Sequence, residues 1–298
     1  MISILRFAPA RLFTSLVSFN NRKSAFLLLG LLCWAVGSTV YAADPVRYRG
    51  GIRNGEAKVR LSNKQLKQIV VSLKAKTGFQ ELEFNEEGFM VLGDRARVKG
   101  GSAAARELLV SAIDGPKSLV LENHDRSPKV AFARIAESQI YQSMVTGNRI
   151  EVQAIEIDFS DFLALRGDGE ATASFDIAII LLHELGHGVF DLRDAVKGED
   201  EPGECERYVN QVRRELGLPE RMRYSAVTSR RSIASMREAI SWAELPFVRS
   251  THKAGEVKQE MFRLGWEAAK VSEAKVHTLA DAPTGLTARG RGTSADHP

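Results

Sequence analysis

The sequence predicts a chain of mixed helix and strand, and three observations carry that reading. SLVLENH from Ser118, KVAFARI from Lys129 and RIEVQAIEIDF from Arg149 read as strands, the first and last with clear apolar–polar alternation. A long apolar segment follows, from about Ala173 to Phe190, which is too long for a strand and reads as a buried helix. Around these lie segments with apolar residues at helical spacing, and the stretches ASMREAISWAELPF and EVKQEMFRLGWEAAKVSEAK extend that reading, as amphipathic helices, to the C-terminal part.

Taken in order, residues 1–42 hold Arg6, Arg11, Arg22 and Lys23 and no acid, then the 13-residue apolar run AFLLLGLLCWAVG, then STVYAA. Basic, apolar and small residues in that order read as a secretory signal cleaved after Ala42. The apolar run is short for a hydrocarbon core of about 30 Å, so no stable membrane span is expected once the signal is removed. The expected destination is the periplasm or the exterior. Cleavage would remove four of the 41 basic residues and none of the 37 acidic ones, leaving 37 of each. A neutral chain without a basic stripe offers no electrostatic surface for nucleic acid. Cys33 leaves with the signal, so Cys205 remains alone and an intramolecular disulfide is excluded.

Residues 44–100 read as a small N-terminal subdomain or as a decoration on the larger domain. It contains one helix, with Ser62 as cap and Gly78 as stop, and a hairpin turning at FNEEGF. Residues 101–272 form the main domain. AAARELLVSAI is helical until Gly115-Pro116, the strands follow, and the long helix has Thr172 or Ser174 as cap and Asp176 placed to complement its dipole. A charged loop, DLRDAVKGEDEPG, leads to a helix from about Glu204 to Leu216. Residues 273–298 lack periodicity and read as a disordered tail.

The chemistry sits in IILLHELGHGVF. Ionisable groups in an apolar helix cost several kcal/mol each unless they are paired. His183 and His187, at i and i+4, lie one above the other on a single helix face and can reach one zinc ion. Glu184 points to the adjoining position, where a general base would contact a metal-held water. Gly186 costs about 1 kcal/mol in a helix and suggests close packing there. A histidine at position 193 would mark the metzincin pattern; the residue is Arg193, and that class is excluded. His124, His252, His277 and His297 lack metal spacing. Asp191 and Asp194 are near enough in sequence to compete as third ligand, while Cys205 reads as a buried, inert thiol.

HELGH together with the strand before it resembles the zincin metallopeptidases, in which an edge strand that binds substrate precedes the active-site helix. PGECERYVNQVRRELGLPERMRY resembles the downstream segment of gluzincin-like bacterial effector and toxin peptidases, where a helix glutamate precedes an N-x-x-R-x-E-L-G-L-P-x-R run. The resemblance covers roughly residues 102–226. It implies an α+β fold, with a small mixed sheet packed on the active-site helix and further helices C-terminal to it. It also implies Glu206 as third zinc ligand, with Glu204 as the alternative. Asn210, Arg213 and Arg214 then either stand behind the ligands or serve helix packing, with packing preferred, and Tyr224 is a candidate donor to a developing oxyanion. The expected function is an exported zinc peptidase acting on a protein or peptide. The rival readings are a catalytically silent zincin-like binding protein and a secreted toxin protease.

Overall fold

The computed structural model describes residues 49–142, 147–195, 201–232, 239–253 and 256–271. The segments read as a signal (1–42) and as a disordered tail (273–298) lie outside the described residues. The described chain is mixed α+β, with several sheets and few helices. No helix among these residues is long and apolar enough to cross a membrane.

The first sheet is built from β1 (Gly51–Asn54), β4 (Ser118–Asn123) and β7 (Arg149–Ile157), all parallel. Two antiparallel strands, β5 (Ala133–Ile135) and β6 (Gln139–Gln142), pair with the outer side of β7. β7 is RIEVQAIEI, so the strand whose alternation suggested a substrate-binding edge is flanked on both sides. The edge is β5, within KVAFARI. Alternation reports which face of a strand is buried, not whether its flanks are paired, and the expectation failed for that reason.

The 44–100 segment is not set apart from the rest. β1 pairs with β4, and Ile52, Ile69 and Leu73 join the same core as the later strands and helices. The helix α1 (Asn63–Thr77) carries a full capping box, Ser62 with Gln65, and stops at Gly78 in the left-handed conformation. The turn at FNEEGF joins β2 (Leu82–Phe84) to β3 (Met90–Leu92). Ser102 caps α2 (Ala103–Asp114).

Two short helices, α3 (Phe159–Ala164) and α4 (Gly169–Ala173), precede the long apolar one. That helix, α5 (Ile177–Phe190), starts later than its sequence suggested, because Asp176 is itself the cap and accepts from the Ile179 N–H at 3.0 Å. A helix that is apolar all round must be covered all round. Ala178, Ile179, Leu181, Leu182 and Leu185 are fully buried, and α1, α2, β5 and α6 (Glu204–Glu215) all pack against α5.

The remaining cover corrects the expectation of C-terminal helices. β10 (Val227–Ser232), β11 (Ala239–Lys253) and β12 (Glu256–Glu267) form an antiparallel sheet, extended by the two-residue strands β8 (Arg166–Gly167) and β9 (Glu220–Arg221). Burial in β11 and β12 runs at period two. Ala243, Leu245 and Phe247 face inward, paired in register with Trp266, Leu264 and Phe262. Pro246, which has no N–H to give a helix, is the penultimate residue of the stretch ASMREAISWAELPF and lies near the middle of β11.

Candidate metal centre

Helical spacing puts His183 and His187 on one face of α5, and the chain beyond the helix decides what they meet. α5 ends at Asp191, which takes the left-handed conformation at φ 52°. The turn brings the Leu192 carbonyl onto His187, whose Nδ1 lies 2.6 Å from it. Two residues later Asp194 comes back over the histidines. Its Oδ1 lies 3.0 Å from Nε2 of His183 and 3.2 Å from Nε2 of His187.

Close backbone contact holds this turn in place. Arg193 donates its N–H to the Glu204 carboxylate at 3.1 Å and accepts from the Cys205 N–H at 3.0 Å. Gly203, at the foot of α6, lies so near that a Cβ there would sit 2.2 Å from the Ala195 nitrogen and 2.3 Å from the Asp194 carbonyl carbon. Only a residue without a side chain fits.

The four carboxylates considered as third ligand are therefore separated. Glu204 braces the loop through Arg193. Asp191 faces Lys117, at 3.4 Å. Glu206 approaches the opposite edge of the His183 ring, with its Oε2 3.6 Å from Nδ1. Both of its oxygens are already engaged, one by Arg213 and the other by Arg221 at 2.9 Å. Asp194 alone among the four touches both Nε2 atoms. Of the further residues in the resembling run, Asn210 is buried and bonds to Arg213 and to the backbone of Arg221, whereas Arg214 pairs with Glu220 at the surface.

Electrostatics follow the same division. Burial pulls both imidazoles toward neutrality, but hydrogen bonding to Asp194, with Cys205 adjacent, outweighs it and raises His183 to about 10 and His187 to about 11. Burial pushes the Asp194 carboxyl up, and the two histidines more than reverse this, holding it well below the usual range. Glu206 is fully buried. Arg213 and then Arg221 overcome its desolvation and bring it to about 2.

Tyr224 reaches the site, its ring stacked on His183 at 6.3 Å between centroids and its hydroxyl donating to Asp194 Oδ2 at 2.6 Å. Burial and the adjacent Asp194 raise its phenol, so it keeps its proton. Glu184 is buried, and its Oε2 accepts the Ile135 N–H of the edge strand at 2.8 Å. This contact fixes the carboxylate between α5 and β5. It was invisible in sequence, because the two residues are 49 apart.

Cys205 lies under the helix. One ligand atom from each of His183, His187 and Cys205 falls within 4.8 Å of the others. Its thiol donates to the His183 carbonyl at 3.0 Å. It also explains Gly186, where a Cβ would sit 2.9 Å from the sulfur. His124, which lacks metal spacing in sequence, meets Glu122 and Glu156 in a second cluster, where Arg134 already pairs with Glu156 at 2.6 Å. The side chain of His252, and all of His277 and His297, lie outside the described residues.

Comparison with protein-family models, curated proteins and solved structures finds no match to the chain.

Proposed function

We propose that the chain is a zinc-dependent peptidase of zincin type, with His183, His187 and Asp194 holding the metal and Glu184 as general base. The observation that carries this reading is the convergence of two Nε2 atoms on one Asp194 oxygen, at 3.0 and 3.2 Å. Ligand bonds of about 2.0–2.1 Å in tetrahedral geometry put ligand atoms roughly 3.3 Å apart, close to the two contacts that Asp194 makes. The donor set, two imidazoles and a carboxylate, is one that zinc accepts with a fourth position open.

The other side of each ring supports the same reading. Ligating histidines ordinarily have their second nitrogen held by a carboxylate or a carbonyl, which fixes the tautomer and the ring orientation. Here Leu192 O serves His187 and Glu206 lies behind His183. Glu206 thereby moves from the ligand role that the resemblance implied to that of a buttress. Asp194 is preferred to Cys205 because the thiol is spent on a backbone carbonyl and is fully buried, whereas the Asp194 side chain is 37% exposed, as an open site requires.

Zinc on this triad would polarise a substrate carbonyl and lower the pKa of a water to about 7. The chain's own residues supply the rest. Glu184, with Oε2 pinned by Ile135, takes the proton of the attacking water and passes it to the leaving nitrogen. Tyr224 positions Asp194 through its second oxygen. β5, the edge strand of its sheet, lies beside Glu184 and gives it the Ile135 N–H. The proposed export rests on the residues of the 1–42 segment.

The reading predicts that Glu184→Gln binds zinc as the native protein does and cleaves a mixed peptide substrate about 10²–10⁴-fold more slowly. Elemental analysis with a peptide-cleavage assay checks both halves. A native protein purified at neutral pH without stoichiometric zinc, and unable to take it up, would refute the reading.

A further inference from the structure

A cavity opens beside the proposed catalytic groups, with His183, Glu184 and Tyr224 among its lining residues. Together with the open solvent in front of it, the space amounts to about 590 Å³. Phe132 and Phe175 wall it, with Leu245 from β11 and Trp266 from β12. Ala133 on the edge strand and Ala226 leave room where larger residues would close it.

The walls are fixed. Phe132 takes φ 62°, a left-handed conformation that costs a bulky residue about 1–3 kcal/mol and persists only when its surroundings impose it. The Asp161 carboxylate accepts its N–H at 2.9 Å, and its carbonyl accepts the Asp158 N–H at 2.9 Å. The ring so placed stands edge-on to Phe175 at 5.0 Å and to Trp266 at 5.2 Å. A strained residue locked beside a reacting centre is the mark of a site shaped in advance.

Charge selects as well. Arg221 also lines the cavity, but it pairs with Glu206 at 2.9 Å, donates to the Arg223 carbonyl at 3.0 Å and bonds to the Tyr224 carbonyl. Its charge is spent inside the protein, so the cavity favours an apolar guest over an acidic one. Because Glu184 lies in its wall, a side chain held there belongs to a residue at the bond being cleaved.

We propose that this cavity receives a bulky apolar side chain, of leucine, methionine or phenylalanine type, from the residue adjoining the scissile bond. The proposal rests on the peptidase reading for the word "scissile", and the binding of the side chain is separable from it. The test titrates zinc-loaded protein with N-acetyl-phenylalaninamide, N-acetyl-leucinamide and N-acetyl-aspartamide, followed by tryptophan fluorescence and calorimetry. The two apolar amides should bind saturably and at least tenfold more tightly than the acidic one. Ala226→Phe should weaken them at least tenfold. Ala133→Leu provides a second filling variant should the first fail to fold, and thermal melting reports folding for both. Equal or absent binding of the three amides overturns the proposal, as does unchanged binding in a folded filling variant. A peptide-library digest separates the two claims. Cleavage without apolar enrichment on either side of the bond overturns the cavity's role, whereas selective binding without any cleavage leaves the cavity standing and removes the peptidase.

Discussion

His183 lies between two carboxylates that differ in almost every physical respect. Asp194 meets its Nε2 from an open loop and also reaches His187. Glu206 meets its Nδ1 from inside α6, with two arginines on its oxygens. One side chain is 37% exposed and the other 1%. A carboxylate becomes a ligand by having an uncommitted oxygen where two imidazole nitrogens converge. It becomes a buttress when cations have already claimed it.

The contrast predicts unequal damage when each is disturbed. Glu206→Ala leaves Arg213 buried without its partner, and stranding one member of a buried pair costs about 3–5 kcal/mol. Urea unfolding of the metal-free protein checks this; a loss below about 1 kcal/mol would mean that the pair is not the buttress described.

Asp161 sharpens the comparison from another side. It is as buried as Glu206, at 2% exposure, but faces the carboxylates of Asp158 and Asp125 rather than arginines. Desolvation therefore prevails, and its carboxyl rises to about 7. A raised folded pKa contributes stability that is full below the unfolded value of about 3.9 and is lost as pH rises through about 7. Asp161→Asn, which keeps an acceptor for the Phe132 N–H, should lose less stability than the native protein between pH 4 and 7. Melting curves across that window check the sign. Parallel pH profiles would contradict it.

The smallest predicted effect concerns how Asp194 is held. Gly203→Ala forces a Cβ against the Asp194–Ala195 backbone and must displace the loop. Zinc affinity should fall on the order of tenfold, as for other changes behind a metal ligand. Circular dichroism should show the helices intact. Unaltered zinc affinity would mean that the loop does not set the ligand.

Much of this comparison was legible in the sequence, and its limits have physical causes. That His183 and His187 share one helix face, with Glu184 beside them, and that something packs close to Gly186 follow from helix geometry and from the cost of burying charge. The caps at Ser62 and the stop at Gly78 follow from local hydrogen bonding. The direction of the loop after α5 does not, because it depends on a left-handed Asp191 and on Gly203 across the gap to α6. Spacing alone left acids at both ends of that loop in competition, and the resemblance chose Glu206 from the far end. β11 and β12 were misread because Ile240, Trp242 and Met261 interrupt the alternation of Ala243, Leu245, Phe247, Phe262, Leu264 and Trp266 with large apolar residues on the other face. Strand identity there is set by pairing across the hairpin, which no local window contains.

The central claim is that Asp194, not Glu206, completes the metal site. Zinc titration of metal-free Asp194→Ala and Glu206→Gln, each shown to be folded by its melting curve, tests it most directly. Asp194→Ala should bind zinc at least about 100-fold more weakly than the native protein, beyond the usual cost of an outer-shell change, while Glu206→Gln stays within that cost. Native zinc affinity in Asp194→Ala, with zinc lost in folded Glu206→Gln, would contradict the assignment and return the ligand role to Glu206.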